Sequence, residues 1–140
     1  FCSHFNYEPM VFDAEDKTSV PVYHTNVLMC IGSDFVMAGF DMMTNEKRRN
    51  DIIKRFESAG KKIVYLTEQQ INAFCGNALE LQGSSGRILA LSAKAYSALT
   101  TTQRALLEQS VKLVPLDVSA IELAGGSVRC MLAGIHLSKR

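Results

Sequence analysis

The chain has 140 residues, 47% of them hydrophobic, with a formal net charge of +1 and only three prolines. That is the composition of one globular domain large enough to bury its own core. Its near-neutral balance offers no basic footprint for nucleic acid, and no apolar run is long enough to span a bilayer.

Residues 1–19 read as a polar lead-in, with the carboxylates Asp13, Glu15 and Asp16 in a loop. No secretory signal opens the chain, and it begins at Phe1 rather than Met, as expected of a piece of something longer. From about residue 20 to 75 the pattern predicts one unit. "HTNVLMCIG" and "DFVMAGF" form a strand pair around Gly32-Ser33. A helix follows through "TNEKRRNDIIKRFESAG", with Ile52, Ile53 and Phe56 on one face and Gly60 as its C-terminal cap. The cluster "EKRRNDIIKR" interleaves its charges and reads as the wet face of that helix. Then come the strand "KKIVYL" and a short helical turn opened by Thr67.

From about 76 to 126 the order repeats. "NALELQ", the turn "GSSG" and "RILALS" precede a helix through "TTQRALLEQSVK", where Thr100 and Gln103 form a capping box. The strand "KLVPL" and a turn through "VSAIEL" follow, and residues 127–140 are expected as a closing strand. At an offset of fifty, Lys62 falls on Lys112, Ile63 on Leu113, Leu66 on Leu116, Ile71 on Ile121 and Gly76 on Gly126. Slipping one residue, Thr25–Ile31 falls on Gly76–Gln82. The fold class is therefore α/β, in repeated strand-strand-helix-strand units of about fifty residues. Two and a bit such units leave edges that a closed ring would hide, so a partial ring is expected.

The cysteines Cys2, Cys30, Cys75 and Cys130 lie far apart, without C-x-x-C pairs or metal-ligand spacing. This argues against zinc and against a disulfide framework, and places the chain in a reducing cytoplasm with no cofactor called for. Cys130 follows Gly125-Gly126, small residues that let a planar ligand approach the backbone. It reads either as an inert core thiol or as a nucleophile needing a basic partner. His24 is that candidate partner, since the repeat brings its segment and the Cys130 segment to equivalent places. Its bland reading is a polar residue at a strand mouth. Asn77 marks the same landmark in the middle unit and either fixes a turn or bonds a ligand. Cys30 and Cys75 read as packing residues, and His4 and His136 as terminal ones. Arg129, adjacent to Cys130 on an expected strand, points to the other face.

"YHTNVLM", "FCGNALEL" and "IELAGGSVRCML" together resemble the C-terminal half of the guanidine-group-modifying superfamily. The family includes arginine deiminases, dimethylargininases and amidinotransferases, and the branch most similar is that of bacterial citrulline-utilisation hydrolases. The resemblance runs from about Val20 to the end and is most specific at "GGSVRCM". It implies a five-bladed α/β propeller, the pentein fold, with Cys130 as nucleophile and His24 as proton carrier. It also implies a guanidino or ureido substrate contacted by Asn26, Asn77, Gly125, Gly126 and Ser127. Hydrolysis through a covalent thiouronium is the expected reaction; amidino transfer, or a non-catalytic binding module, is the alternative.

Three departures qualify the resemblance. Ala124 stands where many relatives have a further glycine, and Asn26 stands where arginine deiminases carry an acid. The carboxylates that hold the histidine and the guanidinium are not evident, so they are expected from a missing N-terminal half or another subunit. The isolated piece is accordingly expected to be nearly inactive, because cysteine and histidine alone cannot orient a cation.

Overall fold

A computed structural model describes residues 1–134. The two units fold alike. In the first, β1 (Met29–Ile31) pairs antiparallel with β2 (Phe35–Ala38), and β2 pairs in parallel with β3 (Lys62–Tyr65). In the second, β4 (Leu79–Gly83), β5 (Gly86–Ser92) and β6 (Lys112–Leu116) do the same. A parallel pair needs a long crossover. Helix α3 (Glu46–Ser58) supplies it in the first unit, and α5 (Ala93–Ala98) with α6 (Thr101–Glu108) in the second. Lys62 opposite Phe35 and Lys112 opposite Ile88 open their parallel ladders, which is the fifty-residue offset seen in space.

The central strand of each sheet is apolar on both faces because both are covered. Phe35, Val36, Met37 and Ala38 are all buried, as are Leu89, Ala90 and Leu91. Among the described residues the strands form two separate three-stranded sheets with no closed one.

Local signals fix the helix ends. Asn45 caps α3, its side chain accepting from Arg48 N at 2.9 Å. At the other end Gly60 sits at φ +72°, donating to Glu57 O, while Lys61 N reaches back to Phe56 O. That is the Schellman pattern, which needs a left-handed residue after the cap. Ile52 is buried under α3, with Ile53 and Phe56 half-buried beside it. Thr67 and Thr100 each close a capping box, with Gln70 on α4 (Glu68–Asn72) and Gln103 on α6.

Four segments depart from the sequence reading. The lead-in includes a short helix, α1 (Cys2–Phe5), and packs Met10, Phe12 and Ala14 against the core. Thr25–Leu28 is a helical turn, α2, ahead of a strand only three residues long. Ala93–Ala98 adds a helix capped by Ser92. Val128–Met131 is a 3-10 turn rather than the start of a strand, and the expected closing strand beyond Gly134, His136 included, lies outside the described residues.

The units are joined in several places, two of which frame the site. At the centre, Gly76 lies against the α2 backbone: a Cβ there would sit 2.4 Å from Val27 O and 2.8 Å from Leu28 C. At the rim, the β1–β2 turn is tied to the second unit. Glu80 accepts from Ser33 N–H and Ser33 O–H, and Arg87 pairs with Asp34. Lys61 Nζ donates to Gly32 O and Ser33 O from the first unit's own side.

Candidate active site

The segment after β6 turns through α7 (Ser119–Glu122) into Gly125, at φ +89°, and then into the 3-10 turn that carries Cys130. A side chain at Gly125 would be strained in that left-handed conformation. At Gly126 a Cβ would lie 3.3 Å from Cys130 Cβ, so the second glycine keeps the space beside the thiol open. Ser127 and Val128 are fully buried and anchor the turn; Ser127 Oγ donates to Glu122 Oε1 at 2.8 Å. Cys130, the next residue but one, is exposed. The inert-core reading of this thiol therefore fails, whereas Cys30 and Cys75 are buried as expected.

Three residues from three distant parts of the chain meet at the sulfur. Asn77 Nδ2 donates to Cys130 Sγ at 3.2 Å, and Asn26 Nδ2 lies 3.9 Å from the same atom. Asn77 Nδ2 also donates to Asn26 O at 2.9 Å, and its Oδ1 accepts from Arg129 N at 3.1 Å. Asn77 is 1% exposed, so its side chain faces protein on every side. Asn26 Oδ1 is buried and accepts no hydrogen bond among the described residues.

His24 is the residue before α2, two positions ahead of Asn26, and is exposed. Its ring meets Tyr23 edge-on at 5.5 Å between centroids. It lines a hollow of about 200 Å³ with Phe12, Val22, Tyr23 and Thr25. Thr25 also lines a neighbouring hollow of about 270 Å³, whose walls include Asn26, Cys30, Leu79 and Arg129. Among the described residues no hydrogen bond joins His24 to Cys130; what the structure brings to the sulfur is the two asparagines.

Sequence reasoning missed two neighbours. Arg129 does not alternate away as on a strand; in a 3-10 turn it lines the hollow beside Asn26. Glu122 holds Ser127 and is the carboxylate nearest in sequence to the glycine turn. The earlier carboxylates are placed otherwise. Asp16 accepts from Thr18 N, Thr18 Oγ1 and Val20 N, and these bonds hold its carboxyl below the usual range. No group of three His, Cys, Asp or Glu that could hold a metal occurs among the described residues.

Paired strand-strand-helix-strand units meeting at a cysteine behind a glycine turn agree with the family match, which places the chain in the guanidine-group-modifying superfamily. More narrowly, the sequence model of eukaryotic N,N-dimethylarginine dimethylhydrolases matches residues 1–137, and the chain belongs to that family. No curated relative matches it in sequence. Among solved structures it is similar to ArgZ, an arginine dihydrolase of the ornithine-ammonia cycle in cyanobacteria. The apo enzyme superposes with a TM-score of 0.70 at 15% identity, over 93% of this chain and 19% of that one. The product-bound N-terminal domain of ArgZ gives 0.68 at 16% identity, over 93% of this chain and 43% of that one. A single-site variant of that domain, covalently bound to a reaction intermediate, gives 0.67 at 16% identity. At these identities the likeness is one of fold, and the chain spans less than half the length of the proteins it superposes on. No helix among the described residues is long and apolar enough to cross a membrane.

Proposed function

We propose that the chain carries the nucleophile and part of the substrate site of a hydrolase that cleaves a guanidino C–N bond in an arginine-like molecule. The observation that carries this reading is the Cys130 thiol, exposed yet contacted by the amides of Asn26 and Asn77. Family membership supports the substrate class, an arginine dimethylated on one guanidino nitrogen. Asn26 Oδ1 supports a cation in particular, because a guanidinium is a pure donor and this buried oxygen is an acceptor without a partner among the described residues. Gly126 leaves room for a flat group beside the thiol, since a Cβ there would lie 3.3 Å from Cys130 Cβ.

In the proposed reaction the Cys130 thiolate attacks the central guanidinium carbon, forming a C–S bond and a tetrahedral adduct. The C–N bond to dimethylamine then breaks, and His24 gives the departing nitrogen its proton. Water adds to the remaining thiouronium and returns a proton to His24. Collapse breaks the C–S bond, its electron pair going back to sulfur, and leaves a ureido product. One water is consumed; dimethylamine and citrulline are formed.

The two units are read as two blades of a five-bladed ring, with the cation-holding carboxylates supplied by residues outside this chain or by another subunit. A cytoplasmic setting suits a chain that relies on a reduced thiol.

The test is alkylation by chloroacetamidine, whose amidinium imitates the substrate's cation, alongside neutral chloroacetamide. Cys130 is expected to react at least about tenfold faster than Cys2 and to prefer the cationic reagent. Equal rates at Cys130 and Cys2 would sink the reading. In the natural full-length protein, citrulline release from dimethylarginine should vanish with Cys130→Ser.

A further inference from the structure

We infer that Asn77 is a positioning residue for Cys130 rather than a substrate contact, tying the thiol to the segment that carries His24. The inference deepens the catalytic reading of Cys130 and rests on it.

A primary amide has two N–H donors and one carbonyl acceptor. In Asn77 the donating nitrogen serves Asn26 O at 2.9 Å and Cys130 Sγ at 3.2 Å, while the carbonyl takes Arg129 N at 3.1 Å. Both N–H donors and one carbonyl lone pair are engaged, and at 1% exposure no ligand reaches the side chain. The partners belong to two segments: α2, which begins directly after His24, and the turn that bears Cys130. One buried side chain thus bridges the candidate proton carrier's segment and the candidate nucleophile. Arg129 N lies 3.3 Å from Asn77 O as well, so backbone and side chain of one residue grip the same turn.

The bridge is stiff because Asn77 itself has little freedom. It follows Gly76, which is pressed against Val27 and Leu28 of α2. Cys130, by contrast, sits exposed on a one-turn 3-10 segment four residues after a glycine. A thiol in that place would sweep between rotamers, and misplacement by about 1 Å is enough to cost about a hundredfold in rate. The amide contact on one side of the sulfur holds it to one direction. Ser127, fifty residues on, makes no such bridge: it turns away to Glu122.

Asn77→Asp tests this, because it keeps the side chain's size and the acceptor for Arg129 N while withdrawing the N–H donors. In the natural full-length protein kcat is expected to fall about thirtyfold or more, with KM within about threefold. Alkylation of Cys130 by neutral iodoacetamide should slow as well, since the sulfur and not cation binding is disturbed. Asn77→Ala should behave in the same way. Unchanged alkylation per folded molecule would overturn the inference and make Asn77 a packing residue. A raised KM with kcat retained would overturn it in favour of substrate contact. Both results presuppose a fast wild-type Cys130; if that residue reacts no faster than Cys2, the catalytic reading falls and this inference falls with it. Where the Asn77 variants do not fold, the Asn77 side-chain amide resonances decide, compared between wild type, Cys130→Ser and Cys130→Ala. Position 130 is exposed, so both variants are expected to fold. The resonances should move in both variants and furthest in Cys130→Ala; if they stay in place, there is no bond to sulfur and the inference is overturned.

Discussion

Gln70 and Gln103 hydrogen-bond to each other in both directions while each closes the capping box of its own helix. Gln70 Nε2 donates to Gln103 Oε1 at 2.7 Å, and Gln103 Nε2 donates to Gln70 Oε1 at 3.2 Å. The same two oxygens accept from Thr67 N and Thr100 N. The remaining donor capacity goes to Ala98 O and Tyr65 O, so the polar cluster is fully satisfied. Losing a cap or a buried hydrogen bond costs about 1 to 2 kcal/mol, and shared partners make such losses non-additive. Gln70→Ala and Gln103→Ala should each destabilise by about that much, and the double variant by about 1 kcal/mol less than their sum. Urea unfolding of the four proteins measures it; additive losses would mean that the two caps act independently.

Gly76 makes a second, sharper prediction. Its missing Cβ is replaced by carbonyl and backbone atoms of α2, which cannot rotate aside. Gly76→Ala should therefore destabilise by about 2 to 4 kcal/mol, through forced displacement of packed backbone. Gly60→Ala has open space around it and only a left-handed φ to tolerate, so its cost should stay near 1 kcal/mol. Thermal unfolding of the two variants separates the cases. Gly76→Ala should also slow Cys130 alkylation, because Asn77 moves with its neighbour.

Acid should loosen the rim joint. The Arg87 guanidinium hydrogen-bonded to Asp34 holds that carboxyl below its usual value, with Lys62 and Lys61 adding to the effect. A carboxylate lowered by folding stabilises the native state above the unfolded value, near 3.9, and that contribution is lost as pH falls through the lowered one. Asp34→Asn should flatten the stability profile below about pH 4 and leave its slope near neutrality unchanged. The pair is open to solvent, so high salt should shrink the difference. An acid limb identical in both proteins would show that Asp34 does not contribute.

The buried thiols should respond to base instead. Burial pushes Cys75 up to about 12 and does the same to Cys30, where the charge of Glu80 adds to it. Folded protein should resist alkylation at both positions through about pH 10, and both should react once urea unfolds the chain. Because the folded values are raised, stability is whole below the unfolded thiol value, near 8.5, and declines as pH climbs from there towards about 12. Peptide mapping after brief alkylation reads each cysteine separately.

Where the sequence reading succeeded, the signals were local or periodic. Lys62 and Lys112 start their strands because the repeat is real, and Thr100 with Gln103 is a cap written in four consecutive residues. It went astray at "TNVL", an apolar stretch whose periodicity cannot distinguish a strand from a buried turn. There the close approach of Gly76 accompanies a helical turn, a tertiary effect carried from fifty residues away. Val128–Met131 fails in the same way, since Asn77 holds Arg129 N in a turn that no neighbouring residue announces. At the site, Cys130, Asn26 and Asn77 were all named beforehand, yet nothing local shows that both asparagines point at sulfur. The Glu80–Ser33 and Arg87–Asp34 ties were likewise invisible, because each links residues about fifty positions apart.

The two β-hairpin turns have opposite fates. The first, at Gly32–Asp34, is gripped by Glu80, Arg87 and Lys61, while its counterpart Gly83–Gly86 carries two exposed serines, Ser84 and Ser85, at its tip. The second turn is therefore the natural handle on this protein. A peptide tag or a fluorophore inserted between Ser84 and Ser85 is expected to project into solvent without loosening either sheet, whereas the same insertion at Ser33 should break the rim contacts with Glu80 and Arg87.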